Sequence, residues 1–182
     1  MLLNIPIMLT YLRIVAIPVL IALHYLDYPF TTAFVFGMAG FTDWADGYLA
    51  RRWGQESRFG AFLDPVADKL MVAVALILVV EAQANAWVTI AAAIIISREL
   101  LVSALREWMA EIGQRSKVKV SFTGKLKTAA QMTCLICLLY DKPLFGLPIH
   151  EIGLALLALA TVLTVWSMIL YLMDAFRPAT ES

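Results

Sequence analysis

Charged residues are scarce in this sequence of 182 residues, at 15% of the chain, and the net charge is zero. A soluble domain is usually about a quarter charged and about half apolar, whereas 62% of this chain is hydrophobic and its mean hydropathy is +0.81. The scarcity of charge excludes an ordinary soluble core and predicts a chain placed in a lipid bilayer. Its length suits one domain over residues 1–182, and the balanced charge gives no reason to expect nucleic acid as a partner.

Cysteine is nearly absent, with only Cys134 and Cys137 in the chain. Their C-x-x-C spacing also occurs in redox sites. Both thiols, however, lie midway along an apolar run, where a thiolate would be desolvated. We therefore expect packing residues and no disulfide framework.

The sequence also lacks an internal repeat, a low-complexity tract and the features of a cleavable leader. No basic segment precedes the first apolar stretch, and no small-residue cleavage site follows it. We expect that stretch to be the first membrane span.

Apolar runs of about 20 residues, the length that a helix needs to cross a bilayer, are abundant. Turn-forming or charged breaks separate six of them. The expected fold is an all-α, polytopic membrane protein with six transmembrane helices. The expected bounds are Ile5–Leu26, Phe30–Ala50, Asp64–Val80, Ala86–Trp108, Thr123–Tyr140 and Ile149–Met173.

Lysine and arginine are unevenly distributed over the breaks. Three arginines lie in the break between the second and third runs, and three basic residues lie between the fourth and fifth, whereas the opposite side offers only Lys142. Because basic loops remain in the cytoplasm, we expect both of these loops and both termini on that side.

Four aspartates do not fit the usual place of acids at span ends. Asp43 and Asp46 share one face of the second run, and Asp64 and Asp68 share one face of the third. If these helices are antiparallel neighbours, the four carboxylates meet near the cytoplasmic end. Divalent cations between them would offset repulsion and desolvation, and all-oxygen ligands suit Mg²⁺ or Mn²⁺. Two such ions can clamp the oxygens of a phosphoryl displacement.

Small residues accompany the acids. Gly47 and Ala50 leave room on the acidic face for a nucleotide or a neighbouring backbone, and Gly60 would do the same in the following loop. Pro65 indicates that a helix begins nearby. Plain helix packing is the alternative interpretation of the small residues, Ala50 above all.

The segment 43–68 resembles the signature of the CDP-alcohol phosphatidyltransferase family. That signature reads D-x-x-D-G-x-x-A-R, eight residues, then G-x-x-x-D-x-x-x-D. Its fixed positions are all present, as Asp43, Asp46, Gly47, Ala50, Arg51, Gly60, Asp64 and Asp68.

The resemblance implies an enzyme that transfers the phosphatidyl group of CDP-diacylglycerol to a small alcohol. It implies two divalent cations, Mg²⁺ or Mn²⁺, held by the four aspartates, with Asp68 also acting as the catalytic general base. The residues implied to bind CDP-diacylglycerol are Asp43, Asp46, Gly47, Ala50, Arg51 and Gly60.

Three shorter segments, at 4–13, 97–107 and 124–131, resemble the branch of this family that uses glycerol 3-phosphate, although Ile7 departs from its pattern. That branch serves phospholipid biosynthesis in the bacterial cytoplasmic membrane, with the active site on the cytoplasmic side. The oligomeric state is left open between a monomer and a homodimer.

Several cations lie within the runs or at their edges. Intramembrane arginines are costly and usually face a cavity or a partner, so we expect this set to hold the phosphate of an anionic acceptor. The set is Arg13, Lys69, Arg98, Arg106 and Lys125. The alternatives are a local pair of Arg98 with Glu99 or Asp43, and an Arg106 side chain that extends toward the membrane surface.

Other functions remain open at this point. The aspartates could be interfacial caps paired with nearby basic residues, but two adjacent helices with two carboxylates on one face argue against this. A divalent-cation transporter predicts mid-membrane acids and a repeat. Within the enzyme class, the alternative acceptors are inositol phosphate, serine or a second phosphatidylglycerol.

Overall fold

The structure, a computed structural model, describes residues 5–53, 58–111 and 122–175, with side chains described over 8–42, 63–111 and 126–173. These parts of the chain form six α-helices. They are α1 (Ile5–Tyr25), α2 (Pro29–Trp53), α3 (Arg58–Gln83), α4 (Ala86–Glu111), α5 (Phe122–Tyr140) and α6 (Ile149–Ala175). The expectation of an all-α fold built from six helices is confirmed.

The start of α3 is the one helix end that differs clearly from the sequence-based prediction. The helix begins at Arg58 rather than at Asp64, so Gly60 lies in a helix and not in a loop, and Pro65 lies inside it. A proline within a helix removes one backbone hydrogen bond. Continuing the helix still satisfies more backbone groups than an irregular segment would in apolar surroundings.

Helix α3 is central to the bundle. It packs against α1, α2, α4 and α5, whereas α6 packs on α4 and α5. Its buried side is built from small and medium residues, including Ala67, Met71, Ala75 and Leu76. α2 and α3 touch, as expected of neighbours, but α1 makes more extensive contacts with each of them.

A small residue allows the most extensive helix contact among the described residues, that of α5 with α6. A Cβ built at Gly153 would lie 2.8 Å from side-chain atoms of Leu138, so glycine allows this approach. Cys134 is buried in the core beside it, Cys137 is partly buried, and both are free thiols. The expectation of packing cysteines without a disulfide is confirmed for both.

One end of the bundle, called the turn end, contains the turns α1–α2, α3–α4 and α5–α6. In each turn, a residue in the left-handed region follows the helix C-terminus. It is Asp27 (φ 57°) after α1, Ala84 (φ 44°) after α3 and Asp141 (φ 48°) after α5. Such residues close helix C-termini. Because the turns are this tight, consecutive helices run antiparallel.

Side-chain contacts also join the helices at the turn end. His24 Nε2 lies 3.3 Å from Glu81 Oε2, which connects α1 to α3. Asp141 receives a hydrogen bond from Gln83 Nε2 at 3.2 Å and lies 2.5 Å from His150 Nδ1. These contacts hold the ends of α1, α3, α5 and α6 together.

The outer surface of the bundle is apolar. Every helix exposes large hydrophobic side chains, among them Leu12, Phe34, Ile77, Ile90, Leu126 and Val162, all at least half exposed. Within the described residues, three stretches are long and apolar enough to cross a membrane, and Leu126–Tyr140 is a shorter apolar helix. The three are Met8–Tyr25, Ala86–Glu111 and Ile149–Met173. Exposed apolar surface on this scale is typical of helices that face lipid.

Candidate active site

The polar side chains opposite the turn end converge on α3, and we call this region the site end. Asp64 and Asp68 lie one helical turn apart on α3, so both project from one side of it. Asp64 Oδ1 accepts a hydrogen bond from the Thr10 hydroxyl and lies 3.5 Å from a terminal nitrogen of Arg13. The two α1 residues are buried, whereas the Asp64 carboxylate is 36% exposed. An arginine and a hydroxyl held in this way fix the direction of the Asp64 carboxylate.

Asp68 opens into a cavity of about 50 Å³ between α3, α4 and α5. At roughly 10–15 Å³ for each water position, this space admits only a few water-sized groups. Its polar lining also includes Lys69, Glu99, Thr128 and Gln131. The cavity is therefore suited to a hydroxyl group beside the Asp68 carboxylate.

Two lysines from different helices lie near Asp68, and Lys69 lines the cavity itself. Lys69 Nζ donates a hydrogen bond to Ser103 Oγ on α4 at 2.5 Å. Lys127, buried on α5, forms an ion pair with Glu99 and is in electrostatic contact with Asp68. Away from bulk water, charges at this distance interact more strongly than they would in solution.

Arg98 lies on the far side of Glu99, toward α6. Its Nη1 is 3.4 Å from Glu99 Oε1, and its Nη2 donates a hydrogen bond to Ser167 Oγ at 3.1 Å. The expected local pair with Glu99 is present, but the same oxygen also binds Lys127. Arg98 Nε is buried and has no hydrogen-bond partner among the described residues.

Arg106 lies two turns after Arg98 on α4, and both arginines contact Tyr171 of α6. Its Nη2 donates a hydrogen bond to the Tyr171 hydroxyl at 2.5 Å. The Arg106 guanidinium carbon lies 5.2 Å from the Tyr171 ring centroid, and that of Arg98 lies 5.5 Å from it. Although Arg106 is exposed, its head group is bound to α6.

The predicted site residues therefore fall into four groups. The structure brings Arg13 to Asp64, places Lys69 beside Asp68, and brings Arg98 and Arg106 to Tyr171. The fourth group has side chains outside the described residues. This group is Asp43, Asp46, Gly47, Ala50, Arg51, Gly60 and Lys125, of which the first five have their backbone in α2, Gly60 in α3 and Lys125 in α5.

Sequence reasoning missed several residues of the site end. Thr10, Ser103, Lys127, Ser167 and Tyr171 all contact a predicted site residue or its ion-pair partner. Two of these residues lie in the last helix, where no site residue is predicted from the sequence. Its signal was the spacing of Thr164, Ser167 and Tyr171, at offsets of zero, three and seven, which puts three polar groups on one helical face.

The described carboxylates fit part of a metal centre. Asp64 and Asp68 supply oxygen ligands from one side of α3, as a hard divalent cation requires. Among the side chains that the structure describes, no three of the metal-binding types lie together. Asp43 and Asp46, which would complete the set, lie outside those side chains.

A larger cavity, of about 370 Å³, lies between α2 and α5 and near the turn end. Its lining is apolar or aromatic, with Phe34, Gly37 and Ile136 among the residues. Among the described residues, no carboxylate or cation lines it, whereas Asp68, Lys69 and Glu99 line the smaller cavity.

Comparison with known proteins identifies the family of this chain. A family model described as CDP-alcohol phosphatidyltransferase matches residues 3–166. Over 175 residues, the chain is 51% identical to a CDP-diacylglycerol–glycerol-3-phosphate 3-phosphatidyltransferase of Salmonella choleraesuis (strain SC-B67), covering 94% of each chain. A protein of the same name from Haemophilus influenzae is 54% identical over 175 residues, covering 94% of this chain and 93% of that one. With its full signature and a match over nearly its whole length, the chain belongs to the CDP-alcohol phosphatidyltransferase family.

Proposed function

We infer that this chain transfers the phosphatidyl group of CDP-diacylglycerol to sn-glycerol 3-phosphate. The products are phosphatidylglycerol phosphate and CMP, and the reaction is a step of phospholipid biosynthesis. Two relatives with this activity in their names are 51% and 54% identical over 94% of the chain. The structural observation that carries the proposal is the opening of Asp68 into a small cavity that Lys69 and Glu99 also line.

Asp68 acts as the general base in this proposal. The acceptor hydroxyl enters the cavity and gives its proton to the Asp68 carboxylate. The hydroxyl oxygen then bonds to the phosphorus that carries diacylglycerol, and the bond from that phosphorus to the oxygen of CMP breaks. Lys69 also lines the cavity, and Lys127 is in electrostatic contact with the Asp68 carboxylate.

The four aspartates hold two divalent cations, Mg²⁺ or Mn²⁺. When bound, the cations supply positive charge for the diphosphate of the substrate. Contacts with Thr10 and Arg13 orient the Asp64 carboxylate. The CDP moiety lies along α2, at Asp43, Asp46, Gly47, Ala50 and Arg51, and reaches Gly60 on α3.

The phosphate of the acceptor binds to cations of the site end. Arg98 and Arg106 lie side by side at Tyr171 and supply two planar donor groups, which suit bidentate phosphate binding. Lys69 and Lys125 lie at the edge of the same region, and Arg13 contributes through Asp64. A neutral polyol would not need this group of cations.

All six helices cross the bilayer in this proposal. Their exposed apolar side chains and the three long apolar helices support it. The excess of lysine and arginine around the α2–α3 and α4–α5 connections supports a cytoplasmic location for the site end and both termini in a bacterial cell. CMP is then released on the side where cytidine nucleotides are made.

An acceptor screen with purified protein tests the proposal. CDP-diacylglycerol is held constant, and CMP release is measured with glycerol 3-phosphate, glycerol, inositol phosphate, serine and phosphatidylglycerol. We expect turnover with glycerol 3-phosphate and little with the others. Equal turnover with glycerol would overturn the acceptor assignment, and the absence of CMP release with every acceptor would overturn the reaction.

A further inference from the structure

We propose that Tyr171 of α6 is a positioning residue that holds Arg98 and Arg106 together as one binding site for the acceptor phosphate. This inference rests on the proposed function, in which the two arginines bind that phosphate. The proposal concerns the last helix, which contributes no residue to the signature segment 43–68.

The polar face of α6 is buried against α4. Thr164, Ser167 and Tyr171 are at most 5% exposed. Thr164 Oγ1 donates to Ala160 O within its own helix, whereas Ser167 and Tyr171 bind the arginines of α4. Ser167 also donates to Thr164 O at 3.0 Å within α6, so two of the three polar side chains of this face bind an arginine of α4.

Tyr171 contacts both arginines in different ways. Its ring lies 5.5 Å from the Arg98 guanidinium carbon and 5.2 Å from that of Arg106, within the range of a cation–π interaction. Its hydroxyl accepts the hydrogen bond from Arg106. The two arginines start about 12 Å apart along α4, at 1.5 Å per residue, and converge on one side chain.

A tyrosine side chain is better suited than a carboxylate to hold two arginines at a phosphate-binding site. Two guanidinium groups repel each other, so a third side chain must hold them near one another. A carboxylate would do so by cancelling charge and would weaken the attraction for phosphate. A neutral aromatic ring holds both cations and leaves their charge for the ligand.

The remaining groups around Arg98 leave it available to an anion. Glu99 is shared with Lys127 through one oxygen. Ser167 supplies a neutral acceptor to Nη2, and Nε is buried with no hydrogen-bond partner among the described residues. A buried arginine with an unused donor is costly unless a ligand completes it.

The test is a kinetic comparison of Tyr171→Phe with the wild type. This variant keeps the ring and removes the acceptor of the Arg106 hydrogen bond. We expect the KM for glycerol 3-phosphate to rise about fivefold, the effect of one net hydrogen bond. The KM for CDP-diacylglycerol and kcat should stay within about twofold. Inorganic phosphate, used as a competitive inhibitor, should lose affinity in parallel, because the site holds the anion and not the glycerol part.

Tyr171→Leu removes the ring as well and should raise the KM for glycerol 3-phosphate further. Thr164→Val is the matched control, because its hydroxyl bonds only within α6 among the described contacts. An unchanged KM for glycerol 3-phosphate in Tyr171→Phe would overturn the proposal. So would an equal rise in Thr164→Val, which would indicate a general effect of α6 packing.

A double-mutant cycle separates this inference from the proposed function. If Tyr171 acts through Arg106, the effects of Arg106→Ala and Tyr171→Phe on the KM for glycerol 3-phosphate will not add. Additive effects would overturn the positioning role while leaving the proposed function intact. If Arg106→Ala and Arg98→Ala both leave that KM unchanged, the acceptor assignment itself fails, and the positioning role fails with it.

Discussion

The guanidinium group of Arg13 on α1 lies 3.5 Å from the carboxylate of Asp64 on α3. Arg13 is nearly fully buried, and the Thr10 hydroxyl binds the same carboxylate oxygen. A signature aspartate is thus oriented by a helix outside the signature segment.

Replacing Arg13 should therefore reduce catalysis through Asp64. We expect Arg13→Ala to lower kcat/KM about tenfold or more, because a charged hydrogen-bonding partner of the carboxylate is lost. Arg13→Lys, which keeps the charge but not the planar fork, should lie between this variant and the wild type. Steady-state CMP release is the measurement, and wild-type kinetics in Arg13→Ala would contradict the role.

Asp68 should be needed for turnover but not for folding. We expect Asp68→Asn to lower kcat by a factor of about 100 or more, the usual contribution of general-base catalysis. Binding of CDP-diacylglycerol and the melting temperature in detergent should stay close to those of the wild type. Turnover near the wild-type level in this variant would rule out the base assignment.

Asp43 and Asp46 should affect metal dependence and nucleotide binding together. For Asp43→Asn and Asp46→Asn we expect a higher Mg²⁺ concentration at half-maximal activity and weaker binding of CDP-diacylglycerol, since each loses an anionic oxygen ligand. Metal titrations of both variants against the wild type provide the check. Superimposable titrations would count against the ligand roles.

Arg98 and Arg106 should determine acceptor affinity. We expect Arg98→Ala and Arg106→Ala to raise the KM for glycerol 3-phosphate about tenfold or more, and that for CDP-diacylglycerol much less, because charge-assisted phosphate contacts are lost. Lys142→Ala, at an exposed cation of the turn end, is the control and should change neither value. If both KM values are unchanged in the arginine variants, Arg98 and Arg106 do not bind the acceptor.

The membrane orientation should be visible by cysteine labelling in intact cells. In a background with Cys134 and Cys137 replaced by alanine, Phe145→Cys at the turn end should react with a membrane-impermeant maleimide, since Phe145 is 96% exposed. Arg58→Cys should react only after the membrane is permeabilised. The reverse pattern would place the site end outside the cytoplasm.

The helices themselves were predictable from the sequence because apolar runs separated by turn residues determine them. Most helix ends lie within three residues of the expected ones. The start of α3 was not predictable in this way, because Pro65 was taken as the mark of a helix start. A proline near the beginning and a proline in the interior look alike in one sequence.

The candidate site was predictable where a spacing pattern marks it. Asp64, Asp68, Arg98 and Arg106 stand out as charges within or beside apolar runs. Their partners on other helices do not, because a threonine, serine or tyrosine in a span is common, and its contact depends on how helices pack. Tyr171 becomes identifiable only when α4 and α6 lie side by side.

The contacts at both ends of α1 have a consequence for the alignment of the bundle. α1 is attached to α3 by Arg13 and Asp64 at the site end and by His24 and Glu81 at the turn end. Two attachment points on parallel helices fix their register, since sliding α1 by one helical turn, about 5.4 Å, would break both. The position of the Asp64 carboxylate along the bundle axis is thus set jointly by contacts at two opposite ends.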